Sequence, residues 1–357
     1  MTKWIAVLGL MAFVSLPASA AEVNADSINA ASFTGKVPSA DRVSALAVKV
    51  QVLLDRSGFS PGEIDGQFGE NVEKALQAFT ETNHLPPGKI LTPEIWSKLQ
   101  SAGGDAVMTD YVLTEQDVKG PYVEKLPVKM EEMRSLKALS YTSAKEALSE
   151  RFHMGQDLLA ELNPGSKFDH AGEKIHVVGL SQDKPKDTSK DTSKETSKET
   201  SKDASKETAK AASIKAARIE VDKERQTVKA FAKDGTLIAF YPATVGSKEK
   251  PTPSGTLKVV SVRADPTYRY DPKYDFKGVA STVPFTINPG PNNPVGVMWI
   301  GLSQAGYGIH GTADPSRVSK SESHGCVRMT NWDVQRLAQL VKKGTEVTFI
   351  EGKQASR

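Results

Sequence analysis

The sequence predicts a multidomain chain in which a mostly-β C-terminal domain with one main helix follows a small α-helical domain and an α+β module. Three observations carry this. Apolar residues recur at helical spacing between Val43 and Leu99. A tract of four-residue repeats within 181–216 then interrupts the chain, and beyond Ala217 the apolar period falls to two. The 357 residues are enough for two or three ordinary cores. A charged share of 25% and a net charge of +3, with no block of one sign, fit a soluble globular class and imply no nucleic-acid partner.

The N-terminus is a short positive start (Met1-Thr2-Lys3), an apolar run from Trp4 to Leu16 and a small-x-small site at Ala18-Ser19-Ala20. Residues 1–20 therefore read as a secretory signal peptide. The run is shorter than the ~20 apolar residues a bilayer span needs. The expectation is an exported protein of the periplasm or cell wall, with no stable membrane span after signal cleavage. Export sharpens the meaning of Cys326, the only cysteine. In an oxidising compartment cysteines usually pair, so a lone thiol is buried and inert, paired between chains, or chemically active.

Residues 40–101 form the helical domain. Val43, Leu46, Ala47, Val50, Leu53 and Leu54 share one face, and Val72, Ala75, Leu76 and Phe79 share another. Thr92-Pro93 starts a short third helix with Trp96 and Leu99. Between the first two lies Gly58-Phe59-Ser60-Pro61-Gly62-Glu63-Ile64-Asp65-Gly66-Gln67-Phe68-Gly69, dense in turn formers. This region resembles the three-helix peptidoglycan-binding domain family, with Asn71 and Thr80 where that family often has Thr and Gln.

Residues 135–180 form the α+β module. Ser143 and Glu146 predict a capping box ahead of Ala147, Leu148 and Phe152. Asp157 is expected to cap a second helix bearing Leu158, Leu159 and Leu162. Asn163-Pro164-Gly165 turns the chain into an alternating strand at Lys174–Val178, with Tyr141 on its partner strand. Strand, two helices and strand resemble a LysM module, which implies glycan binding. The linker 181–216 has almost no apolar side chains, so it reads as a solvated spacer. As a coil of ~30 residues it would give a reach on the order of 30 Å between binding and catalytic parts.

From 217 to 352 the residue pairs Ile219/Val221 and Val228/Ala230, then Leu237–Val245 and Leu257–Val262, predict successive strands, with a hairpin turn at Lys233-Asp234-Gly235-Thr236. Residues 271–290, rich in Pro, Gly and aromatics, read as a long functional loop or lid. Trp299–Leu302 is a further strand. Thr330 and Asp333 cap the main helix, Val334, Leu337, Ala338 and Val341 form its apolar face, and Gly344 is expected to stop it. Val347–Ile350 closes the domain.

The chemistry concentrates in Tyr307-Gly308-Ile309-His310-Gly311-Thr312 and Ser323-His324-Gly325-Cys326-Val327-Arg328-Met329. Acyl transfer needs a nucleophile, a base for its proton and donors for the oxyanion. A free thiol is only a few per cent thiolate at neutral pH, and an adjacent imidazole can act as its general base. Two histidines flank the cysteine, and the residues alone leave open which is the base. His324, two positions away, would face the same way in a strand or turn. His310 could return to the thiol in space. A zinc site from His310, His324 and Cys326 has the right atom types but lacks a fourth ligand and a recognised spacing, so no metal or other cofactor is expected. His84, His153, His170 and His176 fit no ligand spacing and read as structural or solvated.

These segments, with Thr252-Pro253-Ser254-Gly255 and Pro289-Gly290-Pro291-Asn292-Asn293-Pro294-Val295-Gly296, resemble the L,D-transpeptidase (YkuD-like) catalytic domain family. The resemblance implies Cys326 as nucleophile and His310 as proton donor and acceptor, oriented by the Gly311 carbonyl. It further implies oxyanion donors from the amides near Gly325 and Cys326, with Ser323 and His324 in the same motif. Arg328 is the residue expected to pair with a substrate carboxylate. In that family the donor is a tetrapeptide stem, cleaved before a terminal D-residue, and the acyl group passes to an amine or to water. The implied partners are peptidoglycan stem peptides and glycan strands. Alternatives with the same thiol are an L,D-carboxypeptidase and a protein-to-wall transferase. A non-catalytic wall-binding adaptor is the alternative from a different class.

Overall fold

The computed structural model describes residues 23–104, 106–180, 215–274 and 279–352. The signal segment, most of the linker and part of the lid lie outside the described residues. The helical domain has α1 (Ala25–Ala30), α2 (Ala45–Arg56), α3 (Glu70–Thr82) and α4 (Pro93–Gly103). Ser44 and Thr92 cap α2 and α4 by accepting from the third backbone N–H of each helix. Ala47, Val50, Leu53, Leu54, Leu76, Phe79, Trp96 and Leu99 meet in one core, where the spacing put them, and Val48 and Ile95 join them from outside the expected faces.

The same core continues into the following module, so the two form a single N-terminal body. β1 (Met108–Val112) precedes α5 (Glu115–Lys119) and α6 (Met130–Met133), and α7 (Ala144–Arg151), α8 (Gln156–Glu161) and β2 (Lys174–Val178) follow. Leu148, Leu158, Leu159, Ile175 and Val177 join the residues from α2 to α4. Three local expectations are corrected. The antiparallel partner of β2 is β1, and Tyr141 lies outside any strand. Ser143 does cap α7, but the Glu146 carboxylate reaches back to Thr142 (2.6 Å to its N–H), one residue before the cap. The cap of α8 is Gly155, whose N–H is tied to the Ile64 carbonyl, so the helix opens ahead of Asp157.

The C-terminal domain is an eight-stranded sheet. Its strands are β3 (Arg218–Asp222), β4 (Thr227–Phe231), β5 (Leu237–Pro242), β6 (Gly255–Ala264), β9 (Met298–Leu302), β10 (Gly308–His310), β11 (Val327–Arg328) and β12 (Glu346–Ile350). They lie in the order β11-β10-β9-β6-β12-β3-β4-β5, with β10/β11 and β3/β12 parallel. A separate hairpin pairs β7 (Tyr268–Tyr270) with β8 (Phe285–Ile287). α9 (Asn331–Leu340) packs Val334 and Leu337 against Ile219, Ile300 and Ile309. It ends at Leu340, earlier than expected: Val341 is already extended, and Gly344 serves the turn into β12.

The two bodies are in contact, which replaces the expected freely tethered arrangement. Phe240 of β5 belongs to the N-terminal core, stitched there by Ser60 N–H to Phe240 O (2.9 Å) and Phe240 N–H to Gly58 O (3.0 Å). α9 meets the N-terminal body along its length. Asn331 bonds Glu150, Trp332 stacks on His153 at 5.0 Å between centroids, Asp333 accepts from Ser60, and Arg336 pairs with Asp55. Asn71, one of the positions unusual for its resemblance, donates to the Val318 carbonyl across the same interface. A second contact is a strap, residues 120–142, that crosses from the N-terminal body. Its Leu139 is fully buried against Tyr270, Phe285 and Ile287 of the hairpin. Leu139 N–H bonds the Pro289 carbonyl, and its own carbonyl accepts from Asn292 N–H, both at 2.9 Å.

Candidate active site

The two motif segments become neighbouring strands at the sheet edge. In the parallel β10/β11 pair, Ile309 lies opposite Val327 and His310 opposite Arg328. The chain reaches β11 through a bend at Ser323–Cys326, shaped by Gly325 at φ +105°. A Cβ there would stand 2.9 Å from the Tyr307 ring, which explains the glycine twice over. Ser323 braces the bend. Its hydroxyl donates to the Cys326 carbonyl (2.6 Å) and accepts from Gly325 N–H (3.2 Å), while its backbone is bonded to Val245 and Ser247. Of the two amides expected at the oxyanion, that of Gly325 is thus engaged by Ser323.

Cys326 is half-buried, and its thiol turns toward the start of β10, with Sγ 3.7 Å from the Gly306 carbonyl. Burial pushes the thiol pKa up to about 11, against a smaller downward pull from the Gly308 N–H. His310 is buried, and burial presses its pKa down to about 4; the Gly311 carbonyl opposes this and the Arg328 charge adds to it. Both groups are therefore neutral near pH 7. His310 Nδ1 lies 2.6 Å from Gly311 O. A carbonyl can only accept, so Nδ1 carries the proton and Nε2 keeps its lone pair. Among the described residues no hydrogen bond joins His310 to Cys326, a looseness common before substrate arrives. His324 is exposed on the bend, off the strand alternation that would align it with Cys326.

Arg328 is half-buried. Its Nη2 donates to Glu322 O (2.9 Å) and Ser321 Oγ (3.3 Å), while Nε is buried with no hydrogen-bond partner among the described residues. Two supporting residues escaped sequence reasoning. Trp299, opposite His310 on β9, stacks on the imidazole at 5.7 Å and 15° between planes. A Cβ at Gly308 would lie 2.5 Å from that indole, so the glycine admits it. Asn331 presses its Oδ1 against Gly311, where a Cβ would come within 2.1 Å, and the same oxygen accepts from Val297 N–H. The glycine run on both sides of His310 was the available signal for such close packing.

Residues 216–349 match the family model described as the L,D-transpeptidase catalytic domain, and residues 44–99 match "Putative peptidoglycan binding domain". The C-terminal domain thus matches the L,D-transpeptidase catalytic-domain family almost from end to end, and the helical domain before it matches the peptidoglycan-binding one. Among relatives, "Putative L,D-transpeptidase YkuD" of Bacillus licheniformis is 34% identical over 132 residues, 37% of this chain and 64% of the relative. "Probable L,D-transpeptidase YbiS" of Escherichia coli is 32% identical over 124 residues, 34% of this chain and 40% of the relative. The chain therefore spans less than two thirds of either. A crystal structure of an Enterococcus faecium L,D-transpeptidase aligns with 25% identity and a TM-score of 0.29, covering 38% of this chain and 50% of that one.

Proposed function

We propose that this protein is an exported peptidoglycan L,D-transpeptidase with Cys326 as nucleophile and His310 as general base. The observation that carries the reading is the bond from His310 Nδ1 to Gly311 O, which leaves Nε2 free to take a proton. The thiol proton passes to Nε2 as sulfur attacks the donor carbonyl. The C–N bond to the terminal D-residue then breaks, the amine leaves with that proton, and a thioester remains. An acceptor amine attacks the thioester and gives its proton to His310, and the thiol is restored. Two neutral groups suit this concerted transfer better than a preformed ion pair would. The buried, unpartnered Nε of Arg328 supports its pairing with a donor carboxylate. The Cys326 amide is the backbone donor nearest the thioester, Ser323 and Gly325 fix its bend, and His324 stands at the mouth. Peptidoglycan stem peptides are the substrate, and the N-terminal domain holds the enzyme on the wall. Among the described residues no helix is long and apolar enough to cross a membrane.

Incubation with a purified disaccharide-tetrapeptide, read by mass spectrometry, tests this. A cross-linked dimer with loss of one D-residue, absent in Cys326→Ala, is expected. A tripeptide product alone would select the carboxypeptidase, and no product would select the adaptor.

A further inference from the structure

His310 depends on a peptide group that is not its own. Its Nδ1–H is held by the Gly311 carbonyl, so whatever fixes that peptide also fixes which ring nitrogen keeps its lone pair. Gly311 has no side chain to pack, and its N–H reaches the Met298 carbonyl at 3.3 Å. The space beside it is filled by Asn331, the first residue of α9 and only 1% exposed. A Cβ on Gly311 would lie 2.1 Å from Asn331 Oδ1, and a Cβ on Gly296 would lie 2.0 Å from the same oxygen. That oxygen also accepts from Val297 N–H at 3.1 Å.

An asparagine side chain has two ends of nearly equal shape, one accepting and one donating. Turned over, the Asn331 amide would set its NH2 against the Val297 N–H, donor against donor. Its orientation is settled at the other end. Nδ2 donates to Glu150 Oε1 at 2.6 Å and to the Pro291 carbonyl at 3.2 Å. Glu150 lies on α7 of the N-terminal body, 181 positions earlier in the chain. A carboxylate oxygen accepts, and so selects the donating end of the amide. The Tyr141 hydroxyl in turn bonds the Glu150 carboxyl.

The same contact recurs one turn back along α7, where Glu146 Oε1 accepts from Asn292 Nδ2 at 2.8 Å. Two acids four residues apart on a helix repel each other. Here each has a side-chain amide of the catalytic domain as its partner, so the pair faces that domain as a two-pronged clamp.

We propose that Glu150, supplied by the N-terminal body, is a positioning residue for the general base: it holds Asn331, which fixes the Gly311 peptide and through it the Nδ1–H tautomer of His310. The inference rests on the reading of His310 as the base. It gives the docked N-terminal body a part in the chemistry in addition to attachment to the wall.

The test uses the full chain labelled with 15N-histidine, with the His310 resonances assigned by their loss in His310→Gln. Nitrogen NMR reads the tautomer, and turnover of a disaccharide-tetrapeptide gives kcat and KM. Glu150→Met keeps the reach and helix preference of the side chain but accepts no such bond. It should give a mixture of the two neutral tautomers and a kcat lower on the order of tenfold, the kinetic equivalent of one lost hydrogen bond, with KM unchanged. Glu150→Gln, which retains an acceptor oxygen, should restore both the Nδ1–H tautomer and kcat. Glu150→Ala should match Glu150→Met, and takes its place if that variant does not fold. A pure Nδ1–H tautomer in the folded Met or Ala variant, a change confined to KM, or a Gln variant as impaired as the Met one would overturn the proposal. The tautomer is read without turnover. A tautomer that shifts in Glu150→Met, in a native chain that forms no product, refutes the transpeptidase reading alone. A native chain that cross-links, with tautomer and kcat unmoved in Glu150→Met, refutes the role of Glu150 alone.

Discussion

Arg336 in α9 grips Asp55 in α2 through two parallel hydrogen bonds, Nη1 to Oδ1 at 2.6 Å and Nη2 to Oδ2 at 2.9 Å. Asp55 is fully buried. Burial alone would raise its pKa, but Arg336 and then His153 hold its carboxyl well below the usual carboxylate range. The pair ties the N-terminal body to the helix that packs against β9 and β10.

Removing one partner of a buried ion pair strands the other. Asp55→Ala should therefore destabilise the chain by about 3–5 kcal/mol, read as a shift of the urea midpoint. Probes in both bodies, Trp96 and Trp332, should move together. A shift seen at Trp96 alone would mean the bodies unfold independently.

Stability should also fall as pH rises from about 4.5 to about 7. Asp333 and Glu150 have pKa values raised to about 7, in each case first by burial. Over that window the folded chain holds protons that the unfolded chain has released, so unfolding becomes easier with rising pH and levels off above about 7. Glu63, also raised to about 7, adds to this fall; His310, pressed down to about 4, opposes it over the same window but is outweighed by the three carboxyls, and Asp55 acts in the opposite sense only below its unfolded value. Urea midpoints at pH 5 and 7 check this, and a higher midpoint at pH 7 would contradict it.

Alkylation of Cys326 by iodoacetamide should climb about tenfold per pH unit between pH 6 and 10, because the thiol pKa is raised to about 11. Turnover should instead switch on as His310 loses its proton near pH 4 and stay level through neutrality. An alkylation plateau below pH 8 would mean that thiolate and imidazolium already form a pair.

Ser323→Ala removes the hydroxyl that joins Cys326 O to Gly325 N–H. The bend should loosen, and kcat should fall on the order of 10²-fold, the cost of about 1 Å of misplacement. The binding of donor peptide should stay nearly constant. A change confined to KM would assign Ser323 to binding instead.

Leu139→Ala empties a fully buried site between the strap and the hairpin, at about 2–5 kcal/mol. Gly290→Ala attacks the same joint from the other side, since its Cβ would stand 2.3 Å from the Leu139 carbonyl. Hydrogen exchange at 285–290 should accelerate in both variants. Unchanged protection there would show that the hairpin holds without the strap.

Much of this was legible in the sequence because it rests on local rules. The α2 and α3 faces, the caps at Thr92 and Thr330, and the alternation of β3 and β4 follow from spacing and short-range hydrogen bonding. So did the pairing of His310 and Cys326 segments, through their motif. What stayed hidden depends on contacts between distant residues. β10 and β11 have three and two residues, too few for a period to register. Ser60, Asp55 and His153 looked like loop or helix-surface polar groups until α9 covered them. Leu139 and the strap lie in a stretch without periodicity, and the core they complete is supplied by residues more than 120 positions later.

The central claim is that an acyl group forms on Cys326 once His310 Nε2 accepts its proton. Intact-mass spectrometry of the full chain, acid-quenched within one turnover of a tetrapeptide donor, measures it directly. The account predicts a thioester adduct equal to the donor less its terminal D-residue, located on Cys326, and strongly reduced in His310→Gln although iodoacetamide still labels that variant. Product formation with no such adduct, or an undiminished adduct in His310→Gln, would contradict it.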